Sequence, residues 1–231
     1  MWKRILCLTA VLLLLLGCAA AEVSVGDTVT FGTYPQTAQG RDKTPIEWLV
    51  LDVNEEEGSA LLLSRMLLDA QTYYFRYKPV TWAESSLREW LNGKFMKAAF
   101  SRSEKKAILT TRVSSADSEG GGWSTPGGES TKDQVFLLSC REAERYLGLT
   151  AYDPEATALT ARAVPTDYAA AKGVDASAEY GGAAIWWLRS PGIDSVSAAV
   201  VGMHGMLTTC SVGGTYVGVR PALWVKVSAL Q

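Results

Sequence analysis

The chain has 231 residues, of which 48% are apolar and 10% aromatic, a composition that supports a hydrophobic core and excludes a largely disordered protein. The formal charge is -2, and no Lys/Arg-rich run lies beyond the N-terminus, so the footprint of a nucleic-acid binder is absent from the sequence. A single histidine restricts the chemistry further.

The N-terminus reads as a processing signal. Met1-Trp2-Lys3-Arg4 is basic, Ile5 to Leu16 is apolar but too short to span a bilayer, and Ala19-Ala20-Ala21 supplies small residues for cleavage. The expected organisation is a signal peptide over 1–21 and a single globular domain over 22–231. A second reading competes, because Leu15-Leu16-Gly17-Cys18 resembles a bacterial lipobox with a signal over 1–17 and Cys18 as the lipidated first residue. Both place the working protein outside the cytoplasm, secreted or attached to the cell envelope, with membrane contact only through that lipid. Cys140 and Cys210 then remain in the folded part, either as a disulfide or as two separate buried thiols.

The folded part opens with strands. Val25 to Tyr34 alternates as a half-buried strand, Ile46 to Val53 reads as a central strand covered on both faces, and Ser59 to Ser64 returns as its hairpin partner across Glu55-Glu56-Glu57-Gly58. Three short helices are announced by capping-box spacing at Thr81/Glu84, Ser101/Glu104 and Ser139/Glu142, the first stopped by Asn92-Gly93 and the third by Gly148. Those cap positions explain the three glutamates better than catalysis does. Val135 to Leu138 is a further core strand, and Thr166 caps a short helix that ends at Gly173. Ala198 to Val201 and Met206 to Thr209 form a hairpin whose turn contains His204.

Between the second and third helices lies a glycine-rich surface loop over 117–130. Asp117, Glu119 and Glu129 offer oxygen ligands for calcium but lack regular loop spacing, so a solvated acidic loop is the better reading and no cofactor or metal is assigned. Trp123 in that loop, together with Tyr73, Tyr74 and Tyr77, is the aromatic set to test as ligand contacts; packing onto the core is the competing role for each.

Two blocks dominate the C-terminal half: Trp186-Trp187-Leu188-Arg189-Ser190-Pro191-Gly192 and Gly218-Val219-Arg220-Pro221-Ala222-Leu223-Trp224-Val225. Each is an apolar run with one arginine and one proline, which predicts two neighbouring strands of one interior sheet. Trp187, Pro191 and Pro221 are accordingly structural; Arg189 and Arg220 invite an anion site, but a structural role is the better reading, with Glu47 or Asp52 as expected carboxylate partners. With one histidine and no clustered cysteines, neither an activated nucleophile nor a transition-metal site assembles at normal spacing.

These blocks, with Val25-Gly26-Asp27-Thr28-Val29-Thr30-Phe31-Gly32-Thr33-Tyr34-Pro35-Gln36, Ile46-Glu47-Trp48-Leu49-Val50-Leu51, Leu63-Ser64-Arg65, Ser86-Leu87-Arg88-Glu89-Trp90-Leu91-Asn92 and Val135-Phe136-Leu137-Leu138-Ser139, resemble an uncharacterised domain family of exported bacterial proteins. That resemblance implies no activity. Trp187-Leu188-Arg189-Ser190-Pro191-Gly192 followed by a terminal Gly-Val-Arg strand is also similar to the C-terminal half of C-type-lectin-like domains of the formylglycine-generating-enzyme and retroelement-diversified receptor group. This wider likeness implies short helices, a twisted and mostly antiparallel sheet, and ligand binding through loops. Catalytic members use a close cysteine pair before the Gly-x-Arg strand; here only Cys210 lies there, and the Glu-Pro-Asn and Trp-Asn-Asp sugar motifs are absent.

The expected protein is thus an α+β domain of C-type-lectin-like build with several short capped helices, acting as a non-catalytic recognition module for a cell-surface glycan or protein. An enzyme of the formylglycine-generating type or another with an unusual site, and a structural envelope protein, are the alternatives.

Overall fold

The computed structural model describes residues 23–114, 122–149 and 159–230. The expected signal segment with Cys18 lies outside the described residues, as do Asp117 and Glu119 of the glycine-rich loop. The rest is a mixed helix and sheet structure with curled, mostly antiparallel sheets and short helices.

One sheet has four strands in the order Thr28–Tyr34, Thr44–Asn54, Ser59–Ser64, Ala222–Lys226, every neighbouring pair antiparallel. Ile46, Trp48 and Val50 point into the core while Glu47 is exposed and Leu49 half-buried. The expectation of a strand covered on both faces is therefore corrected: this strand alternates, and its outer face is open. Near the end of the first strand the register slips between Thr30 and Thr33. Gly32 sits there at φ 70°, and a Cβ on it would come within 2.6 Å of the Phe100 ring, so only glycine fits the bulge.

The second sheet runs Leu207–Ser211, Ser197–Val201, Trp186–Pro191, Gly218–Val219, Asp69–Ala70. Its hairpin pairs Ser197 with Ser211 through Val201 with Leu207, as the sequence predicts, with His204 exposed in the turn. The two arginine-and-proline blocks do not lie side by side along their length. Gly218 pairs with Trp186, but Ala222–Lys226 crosses into the first sheet, where Ala222 faces Leu63. Pro221 explains the crossing: it lacks an N–H to continue the first ladder, and its carbonyl accepts from Ser64 N at 3.0 Å.

Local helix chemistry is read correctly where the cap is self-contained. Ser101 and Ser139 form complete capping boxes, Gly148 closes Cys140–Leu147 in the left-handed conformation, and Thr166 accepts from Ala169 N. Thr81 makes no side-chain cap; Ser85 instead accepts from Arg88 N and starts Ser86–Trp90. Asn92-Gly93 does not end that helix either, since a wider turn over Leu91–Phe95 carries it into Met96–Ala99. Val135 to Leu138 is buried but forms no strand of its own: Phe136 bridges Ala222 of the first sheet, and Leu138 O accepts from Arg189 N of the second at 2.9 Å.

Both sheets contribute to one hydrophobic cluster. Trp48, Trp82, Trp186 and Trp187 are fully buried in it, and each indole N–H is satisfied, by Phe31 O at 2.7 Å, Asp133 Oδ2 at 2.9 Å, Ala161 O at 3.0 Å and Gln71 O at 2.9 Å. A buried indole without a partner is costly, so these bonds fix ring orientation as well as burial. No helix among the described residues is long and apolar enough to cross a membrane.

Candidate functional site

The segment that follows the Asp69–Ala70 strand carries three of the four aromatic residues singled out above. Tyr73 is 1% exposed, wedged between Trp82 and Trp187, and its hydroxyl donates to Arg189 O at 2.9 Å. Burial pushes its pKa well above the ordinary phenol value. It is a core residue, not a contact. Tyr74 is buried as well, with its N–H on Val212 O. Tyr77 alone is free to meet a ligand, at 75% exposure. Trp123 is half-buried and its indole donates to Pro191 O at 2.9 Å, which makes it a loop anchor and not an open platform.

The aromatic surface lies one residue further on. Phe75, 63% exposed, and the half-buried Trp90 line a cleft of about 360 Å³ together with Gln71, Thr72, Glu89 and Lys94. Phe75 is turned outward because its N–H is tied to Ser86 Oγ at 3.2 Å, and Ser86 begins the helix that carries Glu89 and Trp90. Arg76 lies over the Phe75 ring, 4.9 Å from its centre.

Two buried carboxylates hold the walls. Asp133 accepts from Arg88 Nε at 2.6 Å, Trp82 Nε1 at 2.9 Å and Thr131 Oγ1 at 2.6 Å, which locks the helix beside the cleft. Asp69 accepts from Tyr34 OH at 2.7 Å and Gln71 Nε2 at 3.0 Å, fixing the amide at the cleft floor. The site therefore offers a ring face, an amide, a hydroxyl, a carboxylate and an ammonium on rigid supports. That set suits a polar ligand with an apolar face.

Arg189 has a different role. Its guanidinium is bidentate to Glu142 and donates to Leu137 O at 2.7 Å and Ser114 O at 2.9 Å, while Glu142 also caps Ser139 N. The expected partners do not hold it: Glu47 pairs with Arg65, and Asp52 accepts from Tyr146 OH and pairs with Arg145. Glu142 was the better candidate because its helix packs on the Trp186–Pro191 strand, a proximity no local spacing records.

Cys140 and Cys210 are separate buried thiols. Burial raises the Cys140 pKa to about 11, which keeps it protonated and unreactive at neutral pH. Cys210 Sγ lies 3.3 Å from Tyr216 OH. Among the described residues there is no cluster of His, Cys, Asp and Glu able to hold a metal ion; Glu129, from the suggested calcium loop, is exposed there.

A family model described as a domain of unknown function, DUF6273, matches residues 57–227. The chain belongs to that family. The DUF6273 match begins after the first hairpin strand pair and takes in the cleft, Arg189 and Arg220. No curated protein and no solved structure matches the chain.

Proposed function

We propose that this DUF6273 chain is an extracytoplasmic, non-catalytic recognition module of C-type-lectin-like build that binds a cell-surface glycan in the Phe75–Trp90 cleft. The observation that carries the reading is the pairing of outward aromatic side chains with Gln71, Thr72, Glu89 and Lys94 in one cleft. Sugar rings present an apolar face and a polar rim, which this lining complements. Export is supported by the N-terminal basic, apolar and small-residue pattern. The mixed, mostly antiparallel sheets with short helices agree with the proposed build.

Glycan-array binding followed by calorimetry on the best hit tests this. Wild type is expected to bind at least one glycan saturably, and Phe75→Ala to weaken it about two- to tenfold, the scale of one aromatic contact worth about 0.5–1.5 kcal/mol. Binding untouched by Phe75→Ala would remove the cleft from the account.

A further inference from the structure

Arg220 comes from the same sequence pattern as Arg189 but meets a different environment. It is 3% exposed, donates from Nε to Ser64 O at 2.9 Å and from Nη1 to Ala161 O at 3.3 Å, and lies 5.0 Å from the Trp186 ring centre. No carboxylate among the described residues pairs with it. Removing a cation from water without a counter-ion is costly, and burial draws the Arg220 pKa down to about 9.

Its third nitrogen has no partner of its own among the described residues. Nη2 makes no hydrogen bond to the described protein, yet the one enclosed side-chain polar atom without a partner among the described residues is Ser59 Oγ. Arg220 lines a cavity of about 680 Å³, and the residues that follow its two carbonyl acceptors, Arg65 and Arg162, line it too. Arg162 is held by His204 O at 3.1 Å and by the Tyr180 ring, again with no carboxylate among the described residues. Glu47 is the one acidic lining residue, and it is paired with Arg65. Three cations thus face one anion. The remaining wall includes Leu49, on the outer face of the first sheet, together with Met66 and Val164.

We infer that this cavity is a second binding site, separate from the aromatic cleft, for a small organic anion whose carboxylate, sulfate or phosphate group meets Arg220 and Arg162 and whose body lies on Leu49, Met66 and Val164. The volume falls in the range of small-molecule sites and is too large for a bare ion to fill. Guanidinium groups suit planar and tetrahedral oxyanions through paired N–H donors.

The test is calorimetric titration of Phe75→Ala protein, which removes the aromatic cleft, with D-glucuronate, glucose 6-sulfate, glucose 6-phosphate and neutral glucose at fixed ionic strength. Saturable binding of at least one anion and not of glucose is expected, with the three anions separating carboxylate, sulfate and phosphate. Arg162→Ala should weaken it at least tenfold. Glu47→Gln, which removes the sole acid and releases Arg65, should tighten it several-fold, a gain that a purely structural Arg220 would not produce. Arg220→Met should abolish binding; if that variant does not fold, the two wall variants decide. No saturable anion binding, equal binding of glucose, or indifference to both wall substitutions overturns the inference.

Discussion

At the scale of single residues, the two arginines show how one motif type serves opposite ends. Arg189 has a complete set of acceptors, so its replacement leaves Glu142 and the Leu137 carbonyl short of partners. Arg189→Met is expected to cost about 3–5 kcal/mol in urea unfolding, the scale of breaking a buried ion pair from one side. A loss below 1 kcal/mol would show that the pair is electrostatically idle. Two surface carboxylates set the acid limb of stability. Thr37 and Thr44 hydroxyls and the Gln36 and Thr37 amides hold Asp42 well below the usual carboxylate range. At Glu104 burial opposes ionisation, but bonds from Ser101 and the Gly32 amide outweigh it and lower the pKa. A depressed folded-state pKa stabilises above the unfolded carboxylate pKa and loses that contribution as pH falls through the folded value. Asp42→Asn and Glu104→Gln should therefore flatten the decline of melting temperature below about pH 4, and leave its shape near neutrality unchanged.

At the scale of elements, Asn92 is the instructive case. Its side chain accepts from Gln134 and Val135 N–H and donates to Val135 O at 2.9 Å and Arg88 O at 3.1 Å, tying the helix to the buried Val135 to Leu138 run. Asn92→Ala is expected to destabilise by about 1–3 kcal/mol through unsatisfied backbone groups, against a few tenths for Asn92→Asp if only the acceptor half matters. Equilibrium unfolding of both variants separates these outcomes. The same residue shows what was legible from sequence. Ser101, Ser139 and Thr166 caps were readable because donor and acceptor lie three residues apart. Asn92-Gly93 reads as a stop because the Asn92 bonds to Gln134 and Val135 reach more than 40 positions along the chain. The site was harder still. Tyr73, Tyr74 and Phe75 are consecutive aromatics, and only the Ser86 tether and the packing of Trp82 and Trp187 determine which one faces outward.

At the scale of the whole molecule, the crossing at Pro221 makes both sheets share one core, with Trp187 on one side and Leu223 on the other. Trp187→Phe and Leu223→Ala should each shift far-ultraviolet and near-ultraviolet unfolding curves together, Leu223→Ala by about 2–5 kcal/mol. Separate transitions would show that the sheets are independent. The free thiols add that reducing agent should leave both curves in place.

Recognition through the aromatic cleft is the claim on which the functional account stands. Its most direct measurement is the affinity of the best array glycan for wild-type and Phe75→Ala protein, each first shown to have the same melting temperature. The account predicts a complex roughly two- to tenfold weaker for the variant; equal affinities, or no saturable glycan for the wild type, would contradict it.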